Sequence, residues 1–246
     1  MSDNKSYRTV FISDIHLGTR MSQADKLLDF MKTFQCEKLY LVGDIVDCWS
    51  MSRKMIWTQS HNDVIQKLLR RARKGTEIVY IPGNHDDVMR NYCDNEFGPV
   101  IMVKDCVHVG LDGKIYYVTH GDQFDVVIRN AKWLAHFGSW AYDLSISISL
   151  LINRVRTVFR LPYWSLSSYL KNRVKESVNF IGNYEETLSK YVKGKKLDGI
   201  ICGHIHHANI RDIGGIRYMN CGDWVESCSA LVENHDGTFE IIKWSK

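Results

Sequence analysis

The stretch TVFISDIH, residues 9–16, decides how the chain is to be read: a short apolar run leads directly into Asp14 and, two positions on, His16. A run this brief and this rich in β-branched and aromatic side chains suits a strand covered on both faces. The same grammar recurs along the chain. Leu39-Tyr40-Leu41-Val42 runs into Gly43-Asp44, Ile78-Val79-Tyr80-Ile81 into Pro82-Gly83-Asn84, Ile115-Tyr116-Tyr117-Val118 into Thr119-His120, and Ile200-Ile201 into the histidine-rich stretch CGHIHH at 202–207.

Between the first two runs, Leu27, Phe30, Met31 and Phe34 repeat at helical spacing behind a candidate Ser22 cap. Between the next two, Val64, Ile65, Leu68, Leu69 and Ala72 do the same. Strands alternating with helices specify an α/β protein. The turn at Leu111-Asp112-Gly113-Lys114 and the break at His235-Asp236-Gly237, inside Val232 to Trp244, each predict an antiparallel hairpin. The expectation is a layered sheet sandwich with flanking helices. From about residue 126 to 196 the strand signal gives way to long helical stretches, which predicts a helical cap inserted into a single domain spanning residues 1–246.

Composition sets outer bounds. With 246 residues, 45% hydrophobic and 24% charged, the chain can bury a full core and has no signature of disorder. Its first residues lack the basic segment, apolar stretch and small-residue site of a secretory signal, and no transmembrane segment is expected. Seven cysteines, an odd number without a C-x-x-C pair, suit reduced thiols acting as small hydrophobes. A cytoplasmic location follows as an expectation. The net charge of +4 is uneven: between Leu150 and Lys196, ten Lys or Arg face three acids, leaving the remainder net negative. Such a cluster suits phosphate or an anionic lipid surface.

The carboxyl ends of strands border the crevice in which open α/β sheets bind ligands. Here each strand end carries potential metal ligands: D-x-H (Asp14, His16), G-D-x-x-D (Asp44, Asp47), G-N-H-D (Asn84, His85, Asp86), T-H-G-D (His120) and G-H-x-H (His204, His206). Singly each is weak, since an Asp after a strand is more often a helix cap. Together they describe one site. If 202–207 is extended, His204 and His206 share a face and His207 points elsewhere. Mixed imidazole and carboxylate donors suit Mn²⁺, Fe²⁺ or Zn²⁺ better than Mg²⁺ or Ca²⁺. One carboxylate can bridge two such cations, which then lower the pKa of a bridging water towards roughly 7 and clamp a phosphoryl oxygen.

This series of motifs resembles the calcineurin-like metallophosphoesterase superfamily. Within it GDIVDCW (43–49), THGDQFD (119–125), CGDWVE (221–226) and the helical insertion resemble the UDP-2,3-diacylglucosamine pyrophosphatase family of lipid A synthesis. The resemblance implies a metallophosphoesterase-type two-sheet β-sandwich flanked by helices. It also implies two divalent ions, Mn²⁺ foremost, with Asp14, His16 and His206 on one, Asn84, His120 and His204 on the other, and Asp44 between them. His85 would donate to the reacting phosphate or leaving oxygen, oriented by Asp47, with Asn84 and His85 also contacting substrate. One departure stands out: the lipid A enzymes commonly carry G-N-R-D where this chain has His85. Arginine is a fixed cation, whereas histidine can also pass a proton.

The inserted segment adds eight aromatic residues between Trp133 and Tyr169, interleaved with Arg154, Arg156 and Arg160. Apolar and guanidinium groups side by side suit a phosphorylated or nucleotide-linked lipid, and contact with the anionic inner-membrane surface. The three arginines are thus candidate substrate-binding residues. Nucleic acid ranks lower, because no familiar nucleic-acid module is present. The alternative enzymatic readings keep the metals and change the substrate to another nucleotide diphosphate, phosphodiester or phosphomonoester. A noncatalytic scaffold would be expected to have lost ligands, and all seven positions are filled here.

Overall fold

The computed structural model describes residues 5–94, 96–124 and 184–245, apart from the side chains of 96 and 97. The chain divides into two compact units, residues 1–122 with 185–246, and residues 123–184. Nearly all of the second unit, including Arg154, Arg156, Arg160 and most of the segment expected to form the cap, lies outside the described residues.

The first unit is built on two mixed sheets. In chain order its elements are β1 (Lys5–Ile12), α1 (Ala24–Lys32), β2 (Phe34–Val42), α2 (Cys48–Met51), α3 (Gln59–Arg73), β3 (Glu77–Ile81), β4 (Glu96–Phe97), β5 (Val100–Met102), β6 (Cys106–Val109) and β7 (Ile115–Val118). A helix, α4, is described over 184–194. Then follow β8 (Gly199–Cys202), β9 (Asn209–Ile213), β10 (Ile216–Asn220), β11 (Ser229–Glu233) and β12 (Phe239–Lys243). The larger sheet has the order β12-β11-β1-β2-β3-β5-β4 and the smaller β6-β7-β8-β10-β9. Strands β1, β2 and β3 are parallel neighbours, as are β7 and β8, so their carboxyl ends lie on common edges. Helices α1 and α3 supply the crossovers that parallel strands need.

Alternation along the strands makes two cores. Val10 and Ile12 turn towards α1 and α3, where they meet Leu27, Phe30, Val64 and Leu68. Phe11, Tyr40, Val42 and Val79 turn the other way and pack on Tyr116, Val118, Ile201 and Met219 of the smaller sheet. Phe11 and Tyr40 stack with ring centroids 4.8 Å apart. The outer face of the smaller sheet is covered by α4, whose Tyr191 packs on Tyr117. The result is the helix, sheet, sheet, helix sandwich expected from the sequence, with both hairpins in place. All seven cysteines are free thiols and four are buried.

Two local expectations are corrected. Helix α1 begins at Ala24 with Gln23 as its cap residue, so Ser22 does not cap it. Phe34 opens β2 rather than closing α1, because the Thr33 hydroxyl and backbone N–H both donate to the Phe30 carbonyl and end the helix. Phe34 keeps its burial by packing on Phe30 from the strand.

A buried ionic cluster ties the sheets together. Glu233 on β11 is fully buried and accepts from Thr9 Oγ1 at 2.9 Å, the Leu111 N–H at 2.9 Å and Arg8 Nη1 at 2.7 Å, and pairs with His108 Nε2 at 2.9 Å. Burial pushes the Glu233 carboxyl up, but His108, Leu111 and Thr9 outweigh it and hold its pKa at about 2, below the ordinary 4.5. A depressed carboxyl stabilises the fold above its unfolded pKa and loses that contribution as pH falls towards the folded value. The shift corresponds to about 3 kcal/mol. Glu233→Gln is therefore expected to lower the urea midpoint at pH 7 and to flatten the parent's loss of stability between pH 5 and 3. An acid limb identical to the parent's would contradict this role.

Candidate metal centre

The site is assembled at the carboxyl edge of both sheets from the loops after β1, β2, β3, β7 and β8. Backbone bonds join these loops, among them Asp14 N–H to Gly43 O at 3.0 Å, His16 N–H to Asp44 O at 2.9 Å, and Gly203 N–H to His120 O at 3.1 Å. Asp14, His16, Asp44, His204 and His206 all have positive φ, between 50° and 73°. For residues with a Cβ this left-handed backbone costs about 1–3 kcal/mol apiece, and such strain concentrates at functional sites. It also changes the expected reason for the histidine pairing. Residues 203–208 are not a strand; left-handed turns at His204 and His206, not strand alternation, aim the two rings. His207 is exposed.

Two groups of ligand atoms meet at Asp14, with Asp44 beside it. On one side, donor atoms of Asp14, His16 and His206 lie within 4.8 Å of one another, with His206 Nε2 3.2 Å from Asp14 Oδ1. On the other, Asp14, Asp44 and His120 do the same. Asp44 Oδ2 lies 3.3 Å from His120 Nε2 and 3.9 Å from His16 Nε2, so one carboxylate faces both groups. The His204 ring packs against His120 at 5.2 Å, and the His204 N–H donates to Asp14 Oδ2 at 3.0 Å. A side chain at Gly43 or Gly83 would run into His120, and at Gly83 also into Asp44; at Gly43 the φ of +79° favours glycine as well.

The donor atoms fit a cation. Asp14 Oδ1, His16 Nε2, Asn84 Oδ1 and His120 Nε2 are buried and accept or donate no hydrogen bond. Buried polar atoms are rarely left so. The opposite nitrogens of both rings are occupied: His120 Nδ1 donates to Val42 O at 2.9 Å, and His16 Nδ1 lies 3.0 Å from Asp47 Oδ2. That arrangement presents the Nε2 lone pairs inward, as in imidazoles that bind metals. Burial lowers the basicity of His120, but the Asp44 carboxylate, with Asp14 and Asp122 behind it, more than reverses this and raises its pKa to about 10. Asp44 itself is held well below the usual carboxylate range: His120, His85 and His16 overcome its burial.

Asp47 lies between His16 and His85, and ligand atoms of the three come within 4.8 Å of one another. Its oxygens serve His16 on one side and the Ser50 N–H, at 2.6 Å, on the other, where His85 Nδ1 also lies at 3.1 Å in a geometry too bent for a full hydrogen bond. Burial and these partners oppose one another, and the partners win, keeping Asp47 charged. The His85 ring is a quarter exposed, packs edge-on against Trp49 at 5.1 Å, and is made more basic by Asp47 and Asp44 despite its burial.

Sequence reasoning passed over the residue that holds the loops in place. Asp86, fully buried, accepts from Ile45 N–H at 2.8 Å, Asp44 N–H at 3.3 Å, Gly83 N–H and Tyr80 Oη, and so fastens the G-D turn to the G-N-H-D turn. Its presence in the motif was the only signal. Asp122 was also passed over; it pairs with Arg90 at 2.7 Å, and Arg90 in turn donates to Pro82 O.

Residues 7–208 match the model of the calcineurin-like phosphoesterase family. The chain belongs to that family. It is a phosphoester hydrolase, and the family depends on a dinuclear metal centre. Proteins named UDP-2,3-diacylglucosamine hydrolase are similar along nearly the whole length. That of Aliivibrio fischeri is 32% identical, with 95% of this chain and 97% of the relative covered. That of Azotobacter vinelandii is 31% identical, with 88% and 90% covered, and that of Histophilus somni 24% identical, with 96% and 99% covered.

Asp86→Ala is expected to destabilise the phosphoesterase by about 3 kcal/mol, the range for losing several bonds to a buried charge, and to weaken cation uptake at least tenfold. Urea unfolding in chelator and equilibrium metal titration read the two effects separately. Parent-like values in both would contradict the fastening role.

Proposed function

We propose that the protein hydrolyses the diphosphate of UDP-2,3-diacylglucosamine, giving UMP and 2,3-diacylglucosamine 1-phosphate. The observation that carries this reading is the pair of ligand groups, Asp14-His16-His206 and Asp14-Asp44-His120, with the Asp44 carboxylate 3.3 Å from His120 Nε2 and 3.9 Å from His16 Nε2, together with full-length similarity to hydrolases named for that substrate. Asp14, His16 and His206 would hold one cation and Asn84, His120 and His204 the other, with Asp44 common to both. When bound, two divalent ions, Mn²⁺ foremost with Fe²⁺ or Zn²⁺ as alternatives, supply Lewis acidity towards the phosphoryl group and lower the pKa of water.

The remaining work falls to the chain. Val42 O and Asp47 fix the tautomers of His120 and His16, so the ligands need no reorganisation when cations enter. His85, oriented by Asp47 and partly exposed to the cavity, is placed to hold a proton on its Nε2 and donate it to the phosphate or to the departing oxygen. Asn84 and His85 would share contact with substrate. Arg154, Arg156 and Arg160 would receive the anionic lipid, in keeping with a cytoplasmic enzyme working at the inner-membrane surface; among the described residues no helix is long and apolar enough to cross a membrane.

His85 supports a second reading, in which the same centre cleaves another nucleotide diphosphate, a phosphodiester or a phosphomonoester, because a histidine can protonate a poorer leaving group than a lipid phosphate. A panel of UDP-2,3-diacylglucosamine, nucleotide sugars and aryl phosphates with Mn²⁺ separates the two. UMP release from the lipid nucleotide, at a rate at least 100-fold above Asp44→Ala, is the expected result. No UMP release from it, with turnover of other esters, would favour the second reading. Unchanged turnover in Asp44→Ala would remove the site assignment altogether.

A further inference from the structure

Beside the candidate metal centre lies a cavity of about 540 Å³ that opens on His16, His85 and His206. That volume lies within the range of pockets that hold whole ligands, and exceeds what one phosphoryl group needs. Three cations from two separate loops border it: Arg20 from the loop after β1, and Arg53 and Lys54 from the loop after α2. Met21 and Ile56 add apolar wall.

The two loops are fastened together. Ile56 N–H donates to Gly18 O at 3.1 Å, and Gly18 N–H donates to His61 Nδ1 on α3 at 3.2 Å. Gly18, at φ +101°, packs its backbone onto Met51, leaving no room for a side chain. Arg53 and Lys54 N–H groups both bond to Ser50 O at 3.0 Å, and Ser50 is itself held by Asp47. The backbone that carries the cations is thereby tied to the residue that orients His85.

The charge balance is one-sided. The acid lining the cavity, Asp47, is committed to His16, His85 and Ser50. Among the described residues Arg20, Arg53 and Lys54 form no salt bridge and no side-chain hydrogen bond, whereas Arg8, Arg71, Arg90 and Arg211 are each engaged. Three uncompensated cations around a ligand-sized cavity, next to a phosphoryl centre, raise the local concentration of a polyanion and favour charge developing on a leaving group.

We infer that Arg20, Arg53 and Lys54 form a subsite for the second, non-reacting phosphate of a diphosphate substrate, and so select diphosphodiesters over simple phosphate esters. The inference rests on the diphosphate reading of the preceding section and assigns the residues that make it specific. During cleavage a water oxygen bonds to the reacting phosphorus and gives up a proton, the P–O–P bond breaks with its electron pair passing to the bridging oxygen, and the subsite holds the departing phosphate beside His85, which donates a proton to it.

Calorimetric titration of the Mn²⁺-loaded full chain with UMP and with α,β-methylene-UDP, whose P–C–P bridge resists hydrolysis, tests the subsite without turnover. The parent is expected to bind the methylene diphosphate at least tenfold more tightly than UMP. In Arg20→Ala/Arg53→Ala/Lys54→Ala the ratio should fall below threefold while UMP affinity, the control for fold and metal content, stays within threefold of the parent. A ratio below threefold in the parent, or a ratio unchanged in the triple variant, would overturn the assignment. Failure to release UMP from UDP-2,3-diacylglucosamine, with the binding ratio and its loss both observed, would instead remove the lipid substrate and leave the subsite standing.

Discussion

Burying the carboxylates of Asp14, Asp44, Asp47 and Asp86, none more than 3% exposed, in one pocket would cost several kcal/mol per charge unless each were matched. Much of the first unit's architecture at this edge answers that demand. Asp86 is satisfied by backbone N–H groups and a tyrosine, Asp47 by two imidazoles and a helix N-terminus. Asp14 and Asp44 face Nε2 atoms of His206, His16 and His120, and around them four donor atoms are left without partners. Cations are the chemistry that completes such a set, and a dinuclear centre is what the calcineurin-like phosphoesterase family uses.

The fold delivers these groups by a simple device. Parallel strands β1, β2 and β3 end side by side, and β7 and β8 end side by side in the facing sheet, so five loops from distant parts of the chain reach one edge. Packing of Phe11, Tyr40 and Val79 on Tyr116 and Ile201 sets the spacing between the sheets, while the Glu233 cluster pins their other flank. Rigid strands then allow the loops to hold left-handed conformations at five functional residues, whose strain is offset by the interlocking backbone bonds rather than by any preference of the residues themselves.

Much of this was legible in the sequence because short β-branched and aromatic runs that stop at polar residues suit buried strands. The five apolar runs and both hairpins could be read from residue type and order, as could the residues Asp14, His16, Asp44, His120 and His206 that the folded chain gathers at one edge. What could not be read was conformational. Nothing in Asp14, His16, Asp44, His204 or His206 announces positive φ, so strand alternation stood in for a turn geometry that aims the rings differently. Phe34 continued a helical repeat because the same apolar residue serves α1's face and β2's start equally well. Strand β9, NIRDI, is a half-exposed edge without apolar alternation and left no signal. Asp86 was hidden because its partners are mainly backbone N–H groups, which only a folded chain brings together. Arg20, Arg53 and Lys54 were unremarkable in sequence, being separated by more than thirty residues of chain between the first and the other two.

The departure at His85 now has a physical setting. A histidine there lies 3.1 Å from Asp47, packs on Trp49 and opens to a cavity bordered by Arg20, Arg53 and Lys54. On the proposed assignment one carboxylate, Asp44, would serve two cations. Anomalous scattering from crystals grown with Mn²⁺ tests it most directly. Two peaks are predicted, one bounded by Asp14, His16 and His206 and the other by Asn84, His120 and His204, with an Asp44 oxygen in reach of both. A single peak, or two peaks of which Asp44 touches only one, would contradict it.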